Sequence, residues 1–307
     1  MHSVADQSEA RAPHRIFADF FEEAQELRAD FDKHFSDPYS HDRNTQIWDY
    51  WHVPDIYAYL RTNPEKVLNP LRVDRFFTKL STFSAHSLGL LPTRPVLSLY
   101  INGCQQALHN DATNGRWAYV FSLTRWHERR FTGGETIIFR EKNYWETVDI
   151  TKAGGERCFL ELIPACFNQL LLFDDRLVHG VKQVQGTMVP QEGRIVMHGH
   201  LEEAGMVIQG PLDENHAKEI LSFAGAEMWL TQYRGTHDGL VTLQINVHEN
   251  GQVDRVTILV QRILKLRPDV QDPACIVNDL VDSASNLHFS EASTPSVIIA
   301  PFTVPRM

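Results

Sequence analysis

VLSLYINGCQQALHND, residues 96–111, opens a block in which short runs of Val, Ile, Leu, Tyr and Phe follow one another with turn residues between them. The runs continue as WAYVFSL (117–123), ETIIF (135–139), RCFLELI (157–163), QLLLF (169–173), HGVKQV (179–184) and RIVMHGHL (194–201). Each is too short for a stable helix and rich in β-branched and aromatic residues, which fit a pleated, half-buried surface. Strands spaced this closely predict a double-sheet barrel or jelly roll rather than alternating βα units.

Upstream, Phe17, Phe20, Phe21, Ala24, Leu27 and Phe31 recur at helical spacing with Glu22, Glu23, Arg28 and Asp30 largely between them, which predicts an amphipathic helix. Leu71, Phe76, Phe77, Leu80 and Phe83 predict a second helix from Pro70 to Leu88. The aromatics between these helices (Trp48, Tyr50, Trp51, Tyr57, Tyr59) read first as core packing and, alternatively, as pocket lining.

Downstream, the strand pattern stops near Gly205. Residues 213–230, DENHAKEILSFAGAEMWL, predict a helix with an acidic first turn, and TQYRGTHDG reads as a linker. GLVTLQINVHENGQVDRVTILV holds two alternating apolar runs joined at Asn250-Gly251, which predicts a hairpin with a type I′ turn. A helix near Pro273–Ser285 and a strand near Ser296–Val304 complete a small ββαβ module. The expected class is α+β. A first domain runs over 1–205 with its strand block at about 95–202, a helix and linker follow at 206–236, and the module occupies 237–307.

Twenty-nine basic against thirty-nine acidic residues give a net charge of −10, which argues against sequence-independent nucleic-acid binding. There is no apolar run long enough for a membrane span and no apolar segment in the N-terminal MHSVADQSEARAPHR, so a cytoplasmic location is expected. Cys104, Cys158, Cys166 and Cys275 form no CxxC pair and are expected to be reduced, partly buried thiols.

His109 and Asp111 form the only HxD in the chain, and they fall inside the strand block. In a strand, residues i and i+2 point to one face, so imidazole and carboxylate can converge on one ion. His179 follows an apolar strand and a polar Asp174-Asp175-Arg176 corner, and it can complete a 2-His-1-carboxylate facial triad of the kind that binds Fe(II) with open positions. Arg194 opens the next strand and shares a face with Val196, His198 and His200, where its planar fork suits a carboxylate.

These residues resemble the 2-oxoglutarate and Fe(II)-dependent dioxygenases, most closely the prolyl 4-hydroxylase-like branch. Tyr100, Gly103, His109 and Asp111 keep the spacing Y-x2-G-x5-H-x-D, and Gly133-Gly134-Glu135 matches the turn that commonly follows. The resemblance covers about residues 95–202 and implies a double-stranded β-helix with His109, Asp111 and His179 binding Fe(II). It further implies that Arg194 binds the far carboxylate of the co-substrate 2-oxoglutarate, with Tyr100 beside it. The implied reaction consumes O2, decarboxylates 2-oxoglutarate to succinate and hydroxylates a side chain of a peptide or protein, or a free amino-acid-like metabolite. Related halogenases lack the carboxylate that Asp111 supplies, which points to hydroxylation. Gln106 and Val196 depart from the family pattern, and QGTMVPQEG (185–193) lengthens the gap before Arg194.

The rival pair His198/His200 lacks an evident third ligand downstream. Arg125, His127, Arg129 and Arg130 in TRWHERRF read first as a solvated loop and otherwise as an acceptor for an acidic group. The C-terminal module resembles domains of the TonB/AgmX type, which implies partner docking, with dimerisation or capping as the alternative. A non-catalytic cupin-like metal- or ligand-binding protein is the other functional reading.

Overall fold

The computed structural model describes residues 7–39, 46–140, 159–223 and 232–304. The chain forms two compact units, one of 14–80 and 92–201, the other of 1–13, 81–91 and 202–307. Neither unit is one continuous stretch of sequence.

In chain order the strands of the larger sheet are β1 (His14–Phe17), β2 (Asp49–Val53), β3 (Tyr57–Thr62), β4 (Leu90–Pro92), β5 (Val96–Tyr100), β6 (Gln105–His109), β7 (Trp117–Ser122), β8 (Thr136–Phe139), β9 (Leu160–Ile163), β10 (Gln169–Asp174), β11 (His179–Val181) and β12 (Arg194–Glu203). Their main path is β1-β10-β7-β12-β5-β3-β6-β11-β8-β9, and every pairing in it is antiparallel. β3 joins the two wings: Leu60–Thr62 pair with β5, and Tyr57 and Ala58 pair with β6. A curled antiparallel sheet with few helices fits a jelly roll.

Between Phe20 and His34 the helix is shorter than the aromatic spacing predicts. It runs Ala24–His34, whereas Phe17 ends β1, which pairs with β10. Asp19, at φ 49°, breaks the chain between them. Arg28, read as part of the polar face, is 1% exposed. Its guanidinium donates to Leu123 O at 2.9 Å and to Gln191 O, and pairs with Asp32 at 2.9 Å, so the charge is compensated inside. Phe21, Phe76 and Phe121 close the core there, with Phe76 and Phe121 centroids 4.6 Å apart. Pro70–Leu88 is helical as the sequence predicts.

The other unit contains a four-stranded sheet ordered β13 (Val207–Gln209), β16 (Ser296–Val304), β14 (His237–Val247), β15 (Val253–Lys265). The helix Pro273–Ser285 contributes Ile276, Val277 and Leu280 to one core with Val241, Leu243, Ile245 and Ile298. Asp272 caps it by accepting from Ala274 N at 2.8 Å, and Pro273 occupies the first turn. The helix at Glu214–Phe223 is capped by Asp213; the rest of the stretch read as this helix, 224–230, lies outside the described residues, as does Cys158. The β14–β15 hairpin closes differently from a type I′ turn, which needs positive φ at both central residues. Only Gly251 has it (φ 82°), and Gly251 N donates to His248 O at 3.0 Å, so a four-residue turn ends in a left-handed glycine. Among the described residues no helix is long and apolar enough to cross a membrane.

Candidate metal centre

His109 ends β6 and His179 opens β11, and the two are direct cross-strand partners. Antiparallel pairing therefore aims both rings at one face, with centroids 4.4 Å apart. Asp111 is not in the strand, where alternation would have placed it beside His109. It lies past the end of β6, where its N–H donates to Asp175 O at 2.9 Å and its carbonyl accepts from Asn114 N at 2.8 Å. This turn, rather than strand alternation, swings the carboxylate inward: Asp111 Oδ2 is 3.3 Å from His179 Nε2 and 3.7 Å from His109 Nε2.

Each imidazole points Nδ1 at a backbone carbonyl, His109 at Ala107 O (2.7 Å) and His179 at Leu177 O (2.9 Å). A carbonyl only accepts, so Nδ1 carries a proton and Nε2 is the nitrogen that faces the centre, where its lone pair can serve a metal ion. Two lone pairs and a carboxylate oxygen thus converge, with all ligand atoms within 4.8 Å of one another. Such a donor set repels itself unless a cation, or protons on the two Nε2 atoms, sits among it. Burial works against the Asp111 charge, but the two histidines outweigh it and hold the carboxyl well below the usual carboxylate range.

The same cavity, about 380 Å³, contains Arg194 at 1% exposure. Arg194 starts β12 opposite Tyr100 of β5, and its guanidinium lies 4.7 Å from the Tyr100 ring centroid. Nη2 donates to Thr136 Oγ1 at 3.2 Å, whereas Nε and Nη1 meet no acceptor at hydrogen-bond geometry. Glu135 is near enough to feel the charge but forms no ion pair with it among the described residues. A buried guanidinium without an anion is costly. Val196 offers this arginine no hydroxyl, and Thr136 does so from β8. Tyr100 itself donates to Gln106 Oε1 at 2.9 Å, which gives the departure at position 106 a structural role.

His198 and His200 also line the cavity. His198 Nε2 meets Ser98 Oγ at 2.8 Å, and its setting deep among protein atoms lowers its pKa to about 3, with Arg194 adding to the effect. His200 Nδ1 is 3.1 Å from Asp175 Oδ2, and His200, Asp175 and Asp111 form a second group close enough to hold an ion. His198 is not part of this group, so the HxH pair does not act together, and the partners of His200 lie upstream of it. Asp175 is wholly buried, and burial raises its pKa.

Trp51, Tyr57 and Tyr59 line this cavity rather than only filling core, and Arg61 joins them. Tyr57, Tyr59 and Arg61 alternate in YAYLRT, but no local signal says which wall β3 forms. In the TRWHERRF loop, Arg125 pairs with Asp32 (2.9 Å), Arg130 with Glu192 (3.4 Å), and Arg129 packs over Trp126 (4.0 Å), so all three of its arginines are in use. Gly133 and Gly134 both have φ 78°, and a Cβ on Gly133 would lie 1.8 Å from Gln183 O, so the glycine is required where the backbones meet.

Solved structures similar to this chain include 2-oxoglutarate/Fe(II) oxygenases. The non-heme alpha ketoglutarate dependent epimerase SnoN from nogalamycin biosynthesis is 13% identical over 64% of this chain and 78% of its own, with a TM-score of 0.46. A Pseudomonas putida prolyl-4-hydroxylase is 15% identical over 64% of this chain and 96% of its own, with a TM-score of 0.44. An oxidoreductase of the 2OG-Fe(II) oxygenase family from Burkholderia pseudomallei is 13% identical over 64% and 88%, with a TM-score of 0.44. SnoN has also been crystallised with Fe3+, alpha ketoglutarate and nogalamycin RO. No family model and no curated protein matches the sequence.

Proposed function

We propose that the chain is a non-haem iron dioxygenase that couples 2-oxoglutarate decarboxylation to hydroxylation of a peptide or protein side chain or of an amino-acid-like metabolite. The observation that carries this reading is the conjunction, in one cavity, of three convergent acceptor atoms and a buried guanidinium that lacks an anion. His109, Asp111 and His179 would hold Fe(II) by one face, and the donor set of two imidazoles and one carboxylate suits that ion. Bound there, the ion would supply the dioxygen activation that links loss of carbon dioxide from 2-oxoglutarate to oxygenation of a C–H bond.

The protein's own residues do the rest. Arg194 binds the far carboxylate of the co-substrate through its free Nε and Nη1, and Thr136 fixes the guanidinium from behind. Tyr100 shields that contact from water with its ring. Phe173, packed 4.7 Å from the His179 ring, and Ala118 and Val120 form an apolar wall. Free thiols at Cys104, Cys166 and Cys275 fit a cytoplasmic location, and we assign partner docking to the C-terminal strands and helix.

The test is anaerobic titration with Fe(II) and then 2-oxoglutarate, followed by succinate release on admitting air. Binding of both with succinate formation supports the enzyme; metal binding without 2-oxoglutarate binding leaves the cupin-like binding protein.

A further inference from the structure

β3 carries the clearest unassigned feature of the cavity. Alternation sends Tyr57, Tyr59 and Arg61 to one face, and each meets a different neighbour. Tyr57 stands edge-on to the His109 ring at 5.2 Å and 86°, and Tyr59 stacks on Tyr100 at 5.2 Å and 9°. Arg61 lies over the ring of Trp51, whose backbone is paired with Tyr59. The guanidinium therefore leans back along the strand toward the candidate metal centre.

Arg61 is half-buried and lines both the cavity and an adjoining hollow of about 460 Å³. Of the two arginines at this mouth it is the one that no described carboxylate pairs with. Arg94, the other one, is held by Asp74 at 2.7 Å. Asp49 lies opposite Arg61 in register, but its carboxylate accepts from Gln46 Nε2 at 3.2 Å, and no described carboxylate forms an ion pair with Arg61. Stacking on Trp51 fixes the guanidinium plane, the Tyr59 hydroxyl is a neutral hydrogen-bonding neighbour, and the remaining N–H groups are left for a planar anionic partner.

The cavity thus presents two unneutralised guanidiniums, Arg194 at its floor and Arg61 at its mouth. A dicarboxylic co-substrate anchored at the metal centre has one free carboxylate, and Arg194 takes it. We propose that Arg61 is a specificity-determining residue that receives the carboxylate of the substrate to be oxidised, which makes that substrate a small free acid of amino-acid size. This rests on the functional reading above and narrows it to the metabolite. From Tyr57, beside His109, to Tyr59, toward which Arg61 leans, is two residues of strand, on the order of 7 Å. That span suits a short carbon skeleton with its carboxylate at Arg61 and a C–H bond near the three ligands. An internal residue of a peptide has no free α-carboxylate to offer, and the apolar and aromatic probes below carry none on the side chain.

The experiment measures ligand binding by saturation-transfer NMR on the full chain with Zn(II) and saturating 2-oxoglutarate, so that Arg194 is occupied without turnover. The probes are free apolar and aromatic L-amino acids, their primary carboxamides, and short peptides blocked at both ends. The expected result is that at least some free acids bind about tenfold more tightly than their amides, one hydrogen-bonded charge pair's worth. In Arg61→Gln that preference disappears, while Arg61→Lys keeps part of it and 2-oxoglutarate affinity is unchanged in both. Equal binding of acids and amides to the wild-type chain, tighter binding of the blocked peptides, no binding by any acid at millimolar concentration, or a preference that survives Arg61→Gln in a variant with an unaltered melting curve would overturn the proposal. Failure of the functional reading is separate: it shows as wild-type protein that does not bind 2-oxoglutarate.

Discussion

His109 and His179 face each other across β6 and β11, and each turns Nδ1 to the carbonyl two residues before it, Ala107 O at 2.7 Å and Leu177 O at 2.9 Å. The repeated local geometry sets the same tautomer at both rings and leaves both Nε2 atoms beside Asp111.

In the proposed site Fe(II) or Co(II) would bind through Nε2, and neither histidine could be spared. His109→Ala, Asp111→Ala and His179→Ala should each weaken metal binding by more than the roughly 10–100-fold that loss of an outer-shell partner causes. Co(II) absorption spectra and anaerobic Fe(II) titration measure this. Wild-type affinity in His179→Ala would remove the assignment.

Arg194 separates ligand binding from stability, because its charge is buried without an anion. Arg194→Lys retains the charge but loses the fork, so 2-oxoglutarate affinity should fall by about 1.5–3 kcal/mol. Arg194→Met should abolish that binding yet leave the apo protein as stable or more so by about 1–4 kcal/mol, since an apolar side chain needs no counter-ion. Calorimetry with 2-oxoglutarate and thermal melting without it read the two effects. A large loss of apo stability in Arg194→Met would mean that the guanidinium is already satisfied in the free protein.

Gly133 tests the backbone frame around the site. Gly133→Ala adds a Cβ 1.8 Å from Gln183 O at φ 78°, so backbone has to move. Conformational strain alone costs about 1–3 kcal/mol, equivalent to a Tm drop of roughly 2–12 °C in a unit of this size. An unchanged melting curve would contradict the close approach.

How far the sequence disclosed this arrangement follows from the range of each signal. His109, Asp111, His179 and Arg194 were legible because each sits beside its own marker, an HxD, a polar corner after an apolar strand, or the first residue of another. Runs such as QLLLF and RIVMHGHL announced β10 and β12 by composition alone. Tyr57, Tyr59, Arg61 and Thr136 carried no such marker: their part depends on β3 bridging β5 and β6, and on β8 lying beside β11, pairings between segments far apart in the chain. Phe17 misled for the opposite reason, since aromatic spacing can match a helix by accident, and only the left-handed Asp19 and the partner strand β10 show the break.

His198 gives a pH signature. Its pKa is lowered from 6.5 to about 3, chiefly by burial, so the unfolded chain binds its proton at a higher pH than the folded one does. The stability tied to this group is complete above pH 6.5 and is lost as pH falls toward 3. Tm should therefore decline less steeply over that window in His198→Gln than in wild type, and the wild-type His198 ring should stay neutral by NMR at pH 5. A ring that titrates near 6.5 would show that the cavity hydrates it fully.

The last prediction concerns the C-terminal strands. A chain ending at Ala204 follows the apparent sequence boundary but cuts through a compact unit, because 81–91 and 1–13 belong with 202–307. Within that unit Thr242 Oγ1 donates to Leu88 O at 2.5 Å, Pro301 lies 3.0 Å from where a Gly89 Cβ would be, and Arg11 Nε donates to Gln261 Oε1 at 3.2 Å. Truncation removes these partners from Leu88 at the end of the helix Pro70–Leu88, from Gly89 after it and from Arg11. The shortened chain should accordingly melt lower and lose metal affinity along with its fold. Loss of activity on truncation then reports folding and says nothing of docking. Docking is read from charge reversal on the exposed face of the helix Pro273–Ser285, at Asp279 and Asp282, which should leave Tm nearly unchanged. If the chain ending at Ala204 melts and binds Fe(II) like the full-length protein, the C-terminal strands are an independent appendage and their removal becomes a fair test of docking.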